Sequence, residues 1–155
     1  MAVVTGAFLD TGVLLAGLIE MGPGSRSAQE VMTALAEGRL RRPRTAWHCC
    51  LEFYSVATRL PQEFRLTPAD AFTLLEEEIL GRFEVLDLPP GARLGFLRAS
   101  AQGGVIGGRT YDAHIAEIAR RAGTKLLATD NPRHFATVSR EGVRVLTSAE
   151  LAREL

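Results

Sequence analysis

Lysine and long apolar runs are scarce in this sequence. Lys125 is the only lysine, and 18 basic residues in all balance 18 acidic ones to a formal net charge of zero. A strongly basic domain attracts nucleic acid over its whole surface, so the zero charge restricts any such binding here to a local patch. No run approaches the roughly 20 apolar residues of a membrane-spanning helix, and no basic segment precedes the first apolar run. We therefore expect neither a membrane anchor nor a secretory signal, and a cytoplasmic location.

Cysteine is also rare, since Cys49 and Cys50 are the only two. They are adjacent and have no partner elsewhere in the chain, which excludes a disulfide framework and a structural zinc site. His48 precedes them directly, but three consecutive residues of a helix point in three directions and cannot ligate one metal ion. Packing in the core or at an interface is the better interpretation of this segment.

What the sequence does contain is an alternation of short apolar runs with helical patterns. At 155 residues, 46% of them hydrophobic and 23% charged, the chain has the size and composition of one domain spanning residues 1–155. The apolar runs "GAFLD", "RFEVLDL", "KLLAT" and "VRVL" predict strands. This alternation predicts an α/β fold, in which a parallel sheet has helices on both faces.

Helix boundaries are marked by capping residues. Ser27 with Glu30, and Thr147 with Glu150, have the spacing of a capping box, and Thr67 before Pro68 is a strong helix start. The first pair predicts the start of the second helix, which would end at Gly38. The other predicted helices begin at Thr11, span residues 46–59 and 92–102, and follow "YDAHIAEIARRA" up to Gly123.

An acid interrupts the first apolar run, "AFLDTGVLLA", at Asp10. Burying an unpaired carboxylate costs roughly several kcal/mol, so Asp10 is expected at the end of the strand, where water or a cation reaches it. Ligands of open α/β sheets bind beyond the carboxyl ends of the strands. Asp130 and Asn131 directly follow the apolar run "KLLA" and would join Asp10 on one rim if the two strands are near neighbours.

Two further acids are placed to point into the same crevice from helices. Glu52 stands in the middle of the largely apolar helix "HCCLEFYSVATRL", where it has no capping role. Asp112 opens a helix whose apolar residues follow it on one face. Several carboxylates without a nearby lysine require a cation, and oxygen ligands suit Mg²⁺ or Mn²⁺. Such a site supports metal-assisted hydrolysis of a phosphodiester bond.

Each acid except Glu52 also has a purely structural interpretation. Asp10 could cap the helix that follows it, Asp112 could complement the dipole of its own helix, and Asp130 with Asn131 could be turn residues. The arginines of "GRLRRPR" have two interpretations as well, a solvated loop or a local contact to nucleic acid.

Four segments in order resemble the PIN-domain ribonucleases, and specifically the VapC-type toxins of bacterial toxin–antitoxin pairs. The segments are "FLDTGVLLA", "LEFYSVATRLP", "GGRTYDAHIAEIARRAG" and "LLATDNPRHF", and together they span nearly the whole chain. The resemblance implies a three-layer α/β/α sandwich with a central parallel sheet. It also implies metal-dependent cleavage of single-stranded RNA, a homodimer, and a small antitoxin protein as partner.

The same resemblance implies a set of site residues. Asp10, Glu52 and Asp112 match the family's first three acids and would hold Mg²⁺ or Mn²⁺. The family's fourth acid commonly stands two positions after a Thr, which corresponds to Thr129 here. This chain has Asn131 at that position, and its nearest acid, Asp130, stands one position earlier. Asp130 as a fourth metal ligand and Asn131 as a residue that holds a water on the metal both remain candidates, and Thr129 matches the family's hydroxyl.

Two other functions are compatible with parts of the sequence. "LDTGVLL" is similar to the opening of haloacid-dehalogenase phosphatases, but these need a second Asp two residues after the first, and Gly12 occupies that position. A PIN-like module that binds RNA or protein without catalysis is the other alternative, and it would not need the metal acids. Arg133 and His134 lie beside the predicted rim and are candidates for contacts to RNA phosphate.

Overall fold

A five-stranded parallel sheet forms the centre of the structure, a computed structural model that describes residues 2–155. The strands of the chain are β1 (Val4–Thr5), β2 (Phe8–Leu9), β3 (Leu40–Arg41), β4 (Arg44–Ala46), β5 (Glu84–Leu86), β6 (Leu126–Ala128) and β7 (Arg144–Leu146). The central sheet has the order β5-β4-β2-β6-β7, and every neighbouring pair is parallel. β1 and β3 pair separately as a two-stranded parallel sheet.

Helices flank the central sheet, which confirms the predicted three-layer α/β/α arrangement. They are α1 (Thr11–Leu18), α2 (Arg26–Ala36), α3 (Trp47–Ala57), α4 (Pro68–Leu74), α5 (Arg93–Gln102), α6 (Arg109–Arg121), α7 (Ala136–Arg140) and α8 (Ser148–Glu154). α2 packs against α1 and α8, whereas α6 packs against α5 and α7. Within residues 2–155, no helix is both long and apolar enough to span a membrane.

The central strands are buried because their side chains are apolar on both faces. Phe8 and Leu9 of β2 are fully buried, and so are Leu127 and Ala128 of β6. Continuous apolar strands of this kind are typical of parallel sheets that helices cover on both sides. The chain leaves the sheet immediately after Leu9, so the first residue past the strand lies at the carboxyl edge.

Most predicted helix starts are confirmed. The Thr67 side chain accepts a hydrogen bond from the Asp70 amide, 3.1 Å away, and Thr147 and Glu150 form a complete capping box. The predicted box of Ser27 and Glu30 is wrong. A 3₁₀ turn (Pro23–Ser25) leads directly into α2, which begins at Arg26, so Ser27 already lies inside the helix.

Other boundaries differ in ways that sequence periodicity does not reveal. α4 continues without a break into a π-helical segment (Leu75–Leu80), and α6 begins two residues earlier than predicted, at Arg109. The short helix α7 follows a 3₁₀ turn (Pro132–Phe135) in the segment between the predicted strands "KLLAT" and "VRVL", for which no helix is predicted.

The contact between α1 and α2 depends on a glycine. A Cβ atom at Gly17 would lie 2.7 Å from Cγ of Met32 and 3.0 Å from the backbone oxygen of Ala28. Real Cβ contacts are longer than this, and the Ala28 oxygen belongs to the helix backbone and cannot rotate away. The absence of a side chain at Gly17 therefore sets how closely the two helices approach.

Replacing this glycine is expected to destabilise the fold. Gly17→Ala forces α1 and α2 apart and should lower the free energy of unfolding by about 1–3 kcal/mol, as overpacked contacts do. The matched control is Gly95→Ala in α5, where the position is exposed and no atom lies within 4 Å of the added Cβ. There the better helix propensity of Ala should raise the stability by up to about 1 kcal/mol. Urea unfolding measures both, and a Gly17→Ala protein as stable as the wild type would contradict this view of the helix contact.

Candidate functional site

Asp10 lies at the carboxyl end of β2 and is only 8% exposed. It is the N-cap residue of α1, because its Oδ1 accepts a hydrogen bond from the Thr11 amide over 2.8 Å. Its Oδ2 accepts a second hydrogen bond, also of 2.8 Å, from Oγ1 of Thr129 beyond β6. β2 and β6 are neighbours in the sheet, which brings these two residues together. Capping therefore accounts for one carboxylate oxygen of Asp10 and not for the other.

Burial makes the charge of Asp10 costly. Loss of solvation raises the pKa of Asp10 from 3.8 to about 6, although the hydrogen bonds from Thr129 and Thr11 lower it. The negative charges of Glu52 and Asp112 raise it further. The charges of these two acids therefore act on Asp10, and the grouping of all three acids in one crevice stays a prediction.

Glu52 reaches the site from the middle of α3. Its Oε1 lies 3.3 Å from Oγ1 of Thr11 and 3.3 Å from Nε2 of His48, which precedes it by one helical turn. The contact with His48 keeps the pKa of Glu52 below its usual range, against the opposing effect of partial burial. Glu52 is therefore held in its charged form at the edge of the site.

Asp112 reaches the site from the first turn of α6. Its Oδ2 lies 2.9 Å from Nδ1 of His134, which belongs to the 3₁₀ turn after β6. The two side chains are 28% and 35% exposed, so this contact sits where the site opens to solvent. A carboxylate in the first turn also complements the helix dipole, which makes the position favourable for a charged acid.

The residues after β6 have different surroundings. Thr129 is fully buried and contacts Asp10, whereas Asp130 and Asn131 are exposed. Oδ1 of Asp130 accepts hydrogen bonds from the amide and the hydroxyl of Ser148, at 3.0 and 2.6 Å, and so ties this loop to the start of α8. The Asn131 amide donates to Oγ1 of Thr129 over 3.1 Å. The roles of Asp130 and Asn131 at the fourth position remain predictions.

The three acids Asp10, Glu52 and Asp112, here called the acidic triad, are not neutralised by lysine or arginine. Within residues 2–155, no Lys or Arg side chain forms an ion pair with them, and histidines contact two of the three. No three Asp, Glu, His or Cys side chains of this part of the chain are close enough to ligate one ion as they stand. The donor set consists of carboxylate and hydroxyl oxygens, which are the ligands that Mg²⁺ and Mn²⁺ prefer.

The cysteines behind the site are structural. Cys49 and Cys50 are fully buried, and burial raises the pKa of the two thiols to about 12 and about 11. Both thiols are therefore neutral and are not nucleophiles, and their burial agrees with the packing role expected of this segment.

The arginine cluster of "GRLRRPR" is separate from the acidic triad. Arg44 opens β4, at the opposite edge of the sheet from the carboxyl ends of the strands, and pairs with Glu84 over 3.2 Å. Arg39 pairs with Glu37 over 2.6 Å and also donates to the backbone oxygen of Leu155. Part of this cluster therefore stabilises the fold.

The sequence did not predict the contacts that the histidines make. His48, His114 and His134 are the only histidines of the chain, and all three lie at or beside the acidic triad. The spacing of His48 and Glu52, four residues apart on a helix, was a usable signal. The contact of His134 with Asp112 joins distant segments and has no local signature.

Comparison with known proteins decides the family. The profile described as "PIN domain" matches residues 7–141. The chain belongs to the PIN domain family. The matched range contains the acidic triad, the three histidines, and Asp130 and Asn131, the two candidates for the fourth site residue.

Relatives of this PIN domain include named ribonucleases. The chain is 32% identical over 121 residues to Ribonuclease VapC40 of Mycobacterium tuberculosis, a match that covers 78% of this chain and 84% of that protein. Among solved structures, M. tuberculosis VapC20, described as a toxin that cleaves the sarcin–ricin loop, aligns with a TM-score of 0.64 at 14% identity over 86% of this chain and 95% of that one. DNA-bound VapBC from Salmonella typhimurium aligns with a TM-score of 0.61 at 21% identity, over 94% and 99% of the two chains.

The raised pKa of Asp10 predicts how replacing it changes stability in the metal-free protein. A carboxyl group whose folded pKa lies above its unfolded value stabilises the fold most below the unfolded pKa, and this stabilisation is lost as the pH rises through the folded pKa. For Asp10 that window runs from 3.8 to about 6. The Asn side chain of Asp10→Asn does not titrate. The free energy of unfolding of this variant, relative to that of the wild type, should therefore increase by up to about 3 kcal/mol between pH 4 and pH 8.

Urea unfolding in EDTA at the two pH values measures this difference. Asp130→Asn is the control, because it removes a carboxylate that is exposed and hydrogen-bonded to Ser148. A difference between Asp10→Asn and the wild type that stays constant with pH would show that Asp10 is not under electrostatic strain.

Proposed function

We propose that this protein is a metal-dependent endoribonuclease that hydrolyses phosphodiester bonds of single-stranded RNA, and that it is the toxin of a toxin–antitoxin pair. One observation carries the proposal. In this PIN domain the buried Asp10 is subject to the negative charges of Glu52 and Asp112, and no lysine or arginine is paired to any of the three within residues 2–155. The similarity to a protein named a ribonuclease supports the same conclusion.

The carboxylate oxygens of the acidic triad suit a hard divalent cation such as Mg²⁺ or Mn²⁺ in their chemistry, and the three side chains would have to move closer together to bind one. Asp10, Glu52 and Asp112 would hold the ion, which when bound activates a water molecule and stabilises charge on the phosphate oxygens. Two hydrogen bonds orient Asp10, and its pKa of about 6 leaves it mostly ionised at neutral pH. Glu52 and Asp112 each contact a histidine and not a lysine or arginine, so no permanent positive charge competes with a cation for them.

The fourth position remains part of the proposal. The hydrogen bonds from Ser148 tie Oδ1 of Asp130 to the start of α8, so we favour Asn131 as the residue that faces the ion through a water molecule, with Oδ2 of Asp130 as the alternative. Thr129 acts on Asp10 by holding Oδ2. Arg133 and His134, exposed in the turn beside Asp112, are the proposed contacts for an RNA phosphate.

Unpaired RNA is the proposed substrate. VapC20, whose fold is similar, is described as cleaving the sarcin–ricin loop. Loops present unstacked bases and an accessible backbone, whereas the bases of duplex RNA are hidden in a deep groove. A site at the open edge of a sheet is suited to a strand that is splayed in this way.

We also propose a homodimer and a small antitoxin as protein partners. One face of α3 carries three large apolar side chains that are exposed to solvent, Trp47, Leu51 and Tyr54, at 44%, 57% and 39%. They are spaced four and three residues apart and so form one stripe. Stripes of this kind mark surfaces that bind other proteins.

RNA cleavage with matched variants tests the nuclease. Purified protein, free of any antitoxin, should cut single-stranded RNA in Mg²⁺ or Mn²⁺ and not in EDTA. Asp10→Asn and Asp112→Asn should slow cleavage by about 100-fold or more, since each removes a proposed ligand, whereas Asp130→Asn should cost less than about 10-fold. Each variant is first checked for wild-type folding by circular dichroism.

The alternatives predict other outcomes. A folded wild-type protein that cuts no RNA with either metal, yet binds RNA, would support the non-catalytic module. Hydrolysis of small phosphate monoesters in the absence of RNA cleavage would favour a phosphatase. Cleavage that survives Asp10→Asn would place the chemistry outside the acidic triad.

A further inference from the structure

Glu52 is connected to a group of side chains outside the acidic triad. His48 lies one helical turn before Glu52, and its Nε2 is 3.3 Å from Oε1 of Glu52. Oγ1 of Thr11 lies at the same distance from the same oxygen. Both contacts fall on Oε1, so Oε2 is left for a cation.

The other nitrogen of His48 meets a second histidine. Nδ1 of His48 and Nδ1 of His114 are 2.8 Å apart, which leaves room for a single hydrogen between the rings. Nε2 of His48 carries a hydrogen toward the Glu52 carboxylate, because an unprotonated nitrogen there would face a negative oxygen. When His48 is neutral, its Nδ1 accepts, and the hydrogen between the rings belongs to His114.

Packing holds the two rings in this arrangement. The centroid of the His48 ring lies 5.4 Å from that of Tyr111 and 5.1 Å from that of His114. The His114 ring in turn packs against Phe96, with centroids 5.3 Å apart. The His48 side chain is 16% exposed and the Glu52 side chain 40%, so the histidine is the more rigidly enclosed of the two.

We propose that His48 is a positioning residue for Glu52, and that His114 fixes the tautomer and orientation of His48. Glu52 has a long side chain that loses rotational freedom when it is ordered. His48 orders it before any ion arrives by holding Oε1. This proposal rests on the proposed metal-dependent function, and it concerns the hydrogen-bonded chain from His114 through His48 to Glu52, not proton transfer to the substrate.

Amide substitutions test which nitrogen of His48 matters. The side-chain amide nitrogen of Gln reaches roughly the position of Nε2, and that of Asn roughly the position of Nδ1. His48→Asn should therefore lose the contact to Glu52 and weaken Mn²⁺ binding by about 10-fold to 100-fold, as loss of an outer hydrogen-bond partner does, whereas His48→Gln should retain most of the affinity. Calorimetric titration of the full-length, metal-free protein with Mn²⁺ measures both without RNA.

Three more measurements distinguish positioning from a merely structural role. Saturating Mn²⁺ should return RNA cleavage by His48→Asn to the wild-type rate, because His48 touches no substrate. His114→Phe keeps a ring against Phe96 but removes Nδ1, so it should weaken Mn²⁺ binding in the same direction. Long-range ¹H–¹⁵N spectra of the metal-free wild type should show the hydrogen of His48 on Nε2. Tyr111→Phe, which preserves the packing, is the control and should bind Mn²⁺ as the wild type does.

The outcomes separate this proposal from the proposed function. A wild type that binds Mn²⁺ while a folded His48→Asn protein binds it equally well overturns the role of His48 alone. Equal weakening in His48→Asn and His48→Gln overturns the contact through Nε2. A wild-type protein that binds no Mn²⁺ contradicts the metal-dependent function, and the positioning role fails with it.

Discussion

The rest of the site depends on one buried carboxylate. Asp10 ends the most central strand of the sheet, caps the first helix through Oδ1, and accepts from Thr129 through Oδ2. Two hydrogen bonds do not offset the loss of solvation, because the pKa of Asp10 is still raised to about 6. Asp10 is therefore under electrostatic strain in the folded protein, and the negative charges of Glu52 and Asp112 increase that strain.

The parallel sheet is what collects these groups. β2 and β6 are neighbours, so the residues that follow each strand meet at one edge, and α3 and α6 carry the other two acids, whose charges act on Asp10. His48 contacts Glu52, and His134 contacts Asp112. The neutral, buried cysteines and the arginine pairs at the opposite edge have no part in it.

Much of this could be predicted from the sequence because the signals are local. An acid at the end of an apolar run, an acid inside an apolar helix, and the capping pairs at Thr67 and Thr147 are all visible within a few residues. The missed features are contacts between distant segments: Ser148 holding Asp130, His134 on Asp112, and His48 facing His114. The predicted helix start at Ser27 is wrong because a 3₁₀ turn before this residue, and not its own side chain, starts the helix.

The central claim is that a divalent cation compensates the charge of the acidic triad. Its most direct test is the thermal unfolding midpoint of the metal-free protein at pH 7.5, measured as Mn²⁺ is added to the wild type and to Asp10→Asn. A ligand that binds only the folded state raises the midpoint as its concentration increases. The midpoint of the wild type should therefore rise while that of Asp10→Asn stays constant. An equal rise in both proteins, or none in the wild type, would contradict the claim.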